Sequence, residues 1–202
     1  MRLRYTRIFI VLPVLFMMWH TGTGQMPDEI IMSPEVIIIK AAGLTEGQKP
    51  EGVDAITHAT SEGRNVHVVS KVLMESLEEK GIKTEIVRFN AFERLDAIAG
   101  DTTIQVIVFA GPVYGSRFPK QLQDVVPGLK DFILERGIVC TSMTTCGSMD
   151  SGGQTVRTFN NRLAEHGITV TDGLVIHHEY NDEEWETKIA GFAQKISELI
   201  DM

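Results

Sequence analysis

Gln105-Val106-Ile107-Val108-Phe109-Ala110-Gly111-Pro112-Val113-Tyr114-Gly115-Ser116-Arg117-Phe118-Pro119 decides how the chain is read. It opens on a continuous apolar run of β-branched and aromatic residues, too short for a helix. It breaks at Gly111-Pro112, and a helical pattern resumes after Pro119. A strand buried on both faces reads this way, and such strands belong to parallel sheets covered by helices. The break puts Tyr114 beyond the carboxyl end of a 104–110 strand, where open α/β sheets bind their ligands.

The flanking sequence repeats the theme. Glu35 to Ala42 (EVIIIKAA) is a second apolar strand, with Val53 to Thr57 as a weaker alternative for the first strand. Val66, Val69, Val72, Leu73 and Leu77 recur at helical spacing up to a stop at Gly81. Lys83 to Phe89 alternates as a strand and Phe92 to Ala99 makes a short helix. After the central strand, 119–126 and 129–135 read as two helices parted by Pro127-Gly128. Ile138 to Met143 is a fourth strand, Thr144 to Gly153 a long polar loop, and Gln154 to Glu165 a helix. Thr169 to Ile176 is the fifth strand. Asn181 and Glu184 form a capping-box-like start to a last helix carrying Trp185, Ile189, Phe192, Ile196 and Leu199 on one face. This alternation gives an α/β fold, a doubly wound five-stranded parallel sheet in the order 2-1-3-4-5.

The 202 residues suit one domain, with 43% apolar and 23% charged residues. A net charge of −8 argues against a nucleic-acid partner, which needs clustered Lys and Arg. Arg2, Arg4 and Arg7, an apolar core from Ile8 to Trp19 and a small-residue exit at Gly22-Thr23-Gly24 have the layout of an export signal over residues 1–24. Twelve apolar residues reach only about 18 Å as a helix, short of a bilayer core. An uncleaved anchor through residues 8–19 is the alternative to a periplasmic or secreted protein. Cleavage would leave 16 basic against 27 acidic residues, a net charge of −11. Residues 25–34 read as a linker and 35–202 as the domain. Cys140 and Cys146, one in a strand and one past its end, are too far apart for a disulfide.

Three loops converge at the carboxyl edge of such a sheet. The first, Thr60-Ser61-Glu62-Gly63-Arg64-Asn65, ends at a helix N-terminus, which suits either an anion or an ordinary N-cap. The second is Pro112-Val113-Tyr114-Gly115, with a flat aromatic face beside a glycine. The third holds Thr144, Thr145, Cys146, Gly147, Ser148 and Met149. In these segments the chain resembles the flavodoxin family over residues 53–200. ATSEGRN is similar to the Ser/Thr-rich loop, such as T-x-T-G-N-T, that holds the FMN phosphate, with Asn65 in place of the final Thr. Pro112 to Gly115 looks like the P-x-Y-G segment that lies against the isoalloxazine ring. Thr144 to Gly153 has the Gly and hydroxyl content of the ring-and-ribityl loop but no aromatic residue, which leaves Met149 to cover the other ring face. The chain departs from the family in the seventeen residues between strand 36–42 and the phosphate loop.

The resemblance implies an FMN-binding electron carrier with a redox partner protein. An NAD(P)H-dependent FMN or quinone reductase of the same fold is the rival, with nicotinamide or quinone as substrate. A module without cofactor, serving as an interaction domain, is the third reading, and Glu62 near the phosphate position favours it. Asp54 to Thr60 is also similar to the D-x-x-[ST]-G-A-T segment of exported FMN-binding domains flavinylated on the last Thr, here Thr60, with His58 replacing the Gly. His177-His178-Glu179 does not point one way from a strand and reads as structural rather than metal-binding. Cys146 to Gly152 lacks the Arg of a cysteine-phosphatase loop.

Overall fold

Each apolar run of the sequence becomes a strand because its residues can be covered on both faces. The computed structural model describes residues 34–41, 66–113, 116–177 and 182–200. The elements follow in the order β1 (Val36–Lys40), α1 (Val66–Glu78), β2 (Thr84–Arg88), α2 (Phe92–Ala99), β3 (Val106–Pro112), α3 (Lys120–Arg136), β4 (Val139–Cys146), α4 (Met149–Glu165), β5 (Leu174–His177) and α5 (Asp182–Ile200). The five strands form one sheet in the order β2-β1-β3-β4-β5, and every pairing is parallel. The expected fold class and strand order are those observed. β1 is the 36–42 segment favoured from hydrophobicity, and Val53 to Thr57 lies outside the described residues.

Side chains alternate across the sheet. Ile37, Ile39, Ile107 and Phe109 face a core built with Leu95, Ile98, Leu122, Phe132, Phe159 and Leu163. Phe159 sits edge-on to Phe109 at 5.4 Å and stacks on Phe118 at 4.5 Å. Val36, Ile38, Val106 and Val108 face the other core, with Val69, Leu73 and Leu77 of α1 and Trp185, Ile189, Phe192 and Ile196 of α5. Each fully buried side chain of this size contributes about 1.5–3 kcal/mol. Among the described residues no helix is long and apolar enough to cross a membrane.

Four boundaries differ from the sequence reading, each for a physical reason. β3 runs through Gly111-Pro112, which pair with Thr144 and Thr145; a proline at the end of a strand loses little. α3 is one helix with Pro127 inside it. The buried stripe Leu122, Val126, Leu129 and Ile133 passes Pro127 unbroken, so packing outweighs the missing hydrogen bond, a cost of about 3 kcal/mol. β4 extends to Cys146 and α4 begins at Met149, so Thr144, Thr145 and Cys146 are strand rather than loop. Gly152 sits inside α4 because a Cβ there would lie 2.5 Å from Val175 and 2.7 Å from the Cys146 sulfur. That glycine permits close packing of helix on strand, and it does not break the helix. Finally, β5 is confined to Leu174–His177. Val170 makes only an isolated bridge to Cys140, and the chain is pressed onto β4 at Gly173, where a Cβ would lie 2.4 Å from the Ser142 carbonyl oxygen.

Candidate functional site at the carboxyl edge

The sheet order reverses direction between β1 and β3, so the crevice of this fold opens above Lys40 and Pro112. The ends of β3 and β4 are fastened there. The Thr144 hydroxyl donates to the Gly111 carbonyl at 2.7 Å, and the Val113 N–H donates to the Thr145 carbonyl at 3.2 Å. A Cβ at Gly111 would lie 2.9 Å from Leu122 and from Pro119, so the strand end is clamped against the start of α3. Ser116, at φ 61°, is a non-glycine residue in left-handed backbone, an uncommon conformation that needs outside support. Its hydroxyl lies 3.0 Å from that of Ser151 in the first turn of α4. The segments after β3 and β4 are thereby joined.

Pro112 and Val113 stand half-buried at this edge, and Gly147, Ser148 and Met149 are exposed beside it. Ser148 is the N-cap of α4, yet its side chain makes no capping bond. Met149 keeps 43% of its surface in solvent. Thr145 is buried, and its hydroxyl has no hydrogen-bond partner, an expense that buried hydroxyls ordinarily avoid. Cys146 is buried under α4. Burial pushes its thiol up, and hydrogen bonds with the backbone of Ser148 and Gly152 pull the other way. Cys140 lies at the far end of β4, pushed up to about 12 by burial. Six residues of strand separate the two sulfurs' backbones by about 20 Å, so they cannot bridge. Tyr114 and Gly115, and Thr60, Ser61, Gly63, Arg64 and Asn65 of the first loop, lie outside the described residues, as does the export segment.

Sequence reading passed over a second group at this edge. Lys40, last residue of β1, is only 8% exposed, and its Nζ lies 2.6 Å from His67 Nδ1 on the first turn of α1. Burial lowers the Lys40 pKa, and the cations of Arg88 and Lys71 lower it further. Arg88 is the register partner of Lys40 on β2. A lone lysine closing the run Val-Ile-Ile-Ile was the available signal.

The exposed donors fit a flavin. The uncommitted Ser148 side chain and the backbone of Gly147 can hydrogen-bond its polar edge, with exposed Met149 against its apolar surface. The Thr145 hydroxyl is enclosed and would join them only if the edge opens on binding.

The backbone is shared with known proteins. No protein-family model matches the sequence, and no curated protein matches it. The chain has a flavodoxin-like fold. A short-chain flavodoxin associated with a non-canonical PDU bacterial microcompartment is 15% identical, with a TM-score of 0.58 over 83% of this chain and 99% of that one. The flavodoxin of Streptococcus pneumonia TIGR4 is 14% identical, with a TM-score of 0.57 over 81% and 97%. The rubredoxin oxygen:oxidoreductase of Desulfovibrio gigas is 12% identical, with a TM-score of 0.58 over 82% of this chain. The present chain spans about a third of that protein's length, 35%.

Proposed function

We propose that the chain binds FMN at the carboxyl edge of its sheet and acts in electron transfer. One observation carries the reading: the Ser116–Ser151 contact at 3.0 Å joins the segments after β3 and β4 in the helical turn that begins at exposed Met149. The flavodoxin-like fold puts ligands at this edge, and flavodoxins are among the proteins that share it. Bound flavin would supply the one- and two-electron chemistry. The chain's residues would orient it, with Pro112 to Gly115 on one side and Gly147 to Met149 on the other. Adding FMN to the purified protein tests this directly: flavin fluorescence is quenched on binding, and unquenched FMN at saturating protein would end the flavin reading.

A reductase of the same fold is the second reading. The Gly147–Gly153 segment has no aromatic residue, so Met149 alone would cover the ring on that side, a flexible side chain that a nicotinamide or a quinone could displace. Rapid mixing of the FMN-loaded protein with NADPH separates the two. Bleaching within seconds identifies the reductase, whereas a carrier stays oxidised until its partner protein is added. We also propose export through residues 1–24. A mature N-terminus at Gln25 by mass spectrometry supports it, and a chain beginning at Met1 in the cytoplasm opposes it. The same mass spectrum reads covalent flavin at Thr60 as an added flavin mass.

A further inference from the structure

We infer that Lys40, His67, Lys71 and Arg88 form a phosphate subsite where α1 lies over the carboxyl ends of β1 and β2. Lys40 and Arg88 project from the same face of neighbouring strands in register, and that face is the one covered by α1, since Val36 and Ile38 on it pack with Val69 and Leu73. His67 and Lys71 are one helical turn apart on α1, so they lie on one side of the helix. His67 touches the Lys40 ammonium, and Lys71 and Arg88 lie near enough to Lys40 to act on its charge. The four residues are thus one cluster.

The cluster carries more positive charge than the described structure neutralises. The hydrogen-bond partner of Lys40 is an imidazole, and among the described residues no carboxylate forms an ion pair with Lys40, Lys71 or Arg88. A covered ammonium with two further cations beside it is costly to keep charged, in a chain whose net charge is −8. An anion binding there removes that cost. With Lys40 charged, its ammonium donates to His67 Nδ1, which holds the lysine in place. The ammonium groups of Lys40 and Lys71 and the planar guanidinium of Arg88 together suit a tetrahedral dianion with several terminal oxygens, better than a single carboxylate. The positive end of the α1 dipole adds to the attraction.

The phosphate comes either from FMN, in which case the inference rests on the flavin reading above, or from a free or separate phosphate ligand. Calorimetric titration of the purified full-length chain with inorganic phosphate, against chloride at equal ionic strength, tests the subsite without flavin. Phosphate binding is expected, weakened at least tenfold by Lys40→Met and several-fold by Arg88→Met or Lys71→Met, both exposed positions that leave folding intact. Phosphate that binds no better than chloride overturns the inference, as does binding that all three variants leave unchanged. A second arm compares FMN with riboflavin. Competition of phosphate with FMN but not riboflavin, and an FMN preference lost in Lys40→Met, assign the subsite to the flavin phosphate. Phosphate binding that FMN does not displace keeps the subsite and assigns it to a separate ligand. If neither flavin binds while phosphate does, the flavin reading falls and the subsite stands.

Discussion

β3 and β4 lie side by side, paired from Val106↔Val139 to Pro112↔Thr145, and both are buried over nearly all of their length. Their sequences have little in common. β3 reads VIVFAGP and β4 VCTSMTTC. The first has no polar side chain and adds only apolar burial to its backbone ladder. The second carries four hydroxyls into the interior, and three of them are matched: Thr141 donates to the Asp172 carbonyl at 2.9 Å, Ser142 to Asn160 Oδ1 at 2.7 Å and Thr144 to Gly111 at 2.7 Å. The fourth, Thr145, has no partner and stands at the carboxyl edge. Thr155, inside α4, is a second buried hydroxyl without a partner, so it is the place of Thr145 at the carboxyl edge that makes its unmatched group worth testing.

The largest effect belongs to the apolar strand. Phe109 is fully buried and meets Phe159 edge-on. Phe109→Ala is expected to cost about 3–5 kcal/mol, read as a lowered midpoint in urea unfolding. A loss below about 1 kcal/mol, the range of an exposed or collapsible site, would mean that β3 is not the packed centre of the sheet.

Next comes the alkaline behaviour of β4. The Cys140 thiol is pushed from 9.0 up to about 12 by burial. An unfolded chain loses this proton near pH 9, the folded one only near pH 12. The folded state therefore holds the extra proton between those values, and stability falls as pH rises through that window, by about 1.4 kcal/mol per pH unit at most. Below pH 9 the contribution is fully present. Cys140→Ala should flatten the pH dependence of the unfolding midpoint over that range. A thiol reagent at neutral pH should modify Cys140 only after unfolding.

β3 was legible in the sequence and β4 only half so, and the reason is the same contrast. Hydrophobicity marks Val106 to Ala110 without help from the rest of the chain. Thr144, Thr145 and Cys146 look like loop because their hydroxyls suit turns as well as strands. What makes them strand is a set of partners far away in sequence, Gly111, Val175 and Ile176, which no local pattern contains. Gly152 misled for a similar reason: its role is set by Cys146 and Val175 across the helix–strand contact. The site divides likewise. The convergence of Pro112 and Val113 with Gly147 to Met149 was readable from strand order, whereas Ser116–Ser151 and Lys40–His67 join residues 35 and 27 positions apart. Polar pairs of that kind leave no periodicity to read.

Thr144 and Thr145 give the smaller and sharper tests, being chemically identical neighbours that point to opposite sides of the sheet. Thr144→Val removes a buried hydrogen bond and should cost about 1–2 kcal/mol, a fall of several degrees in Tm.

Thr145→Val should do the reverse. Its hydroxyl is buried without a partner, so in the ligand-free protein the isosteric valine removes a desolvated polar group and leaves the backbone bond from Val113 in place. Stability should stay level or rise by about 1 kcal/mol. Flavin affinity should move the other way, weakening roughly tenfold, the value of one hydrogen bond to a ligand acceptor. Fluorescence titration with FMN and a thermal melt on the same preparation read both quantities. A Tm that falls as far as in Thr144→Val would show that Thr145 has a structural partner after all. An unchanged Tm with unchanged FMN affinity would show that the unmatched hydroxyl is simply tolerated, and the asymmetry between the two ends of β4 would then carry no functional meaning.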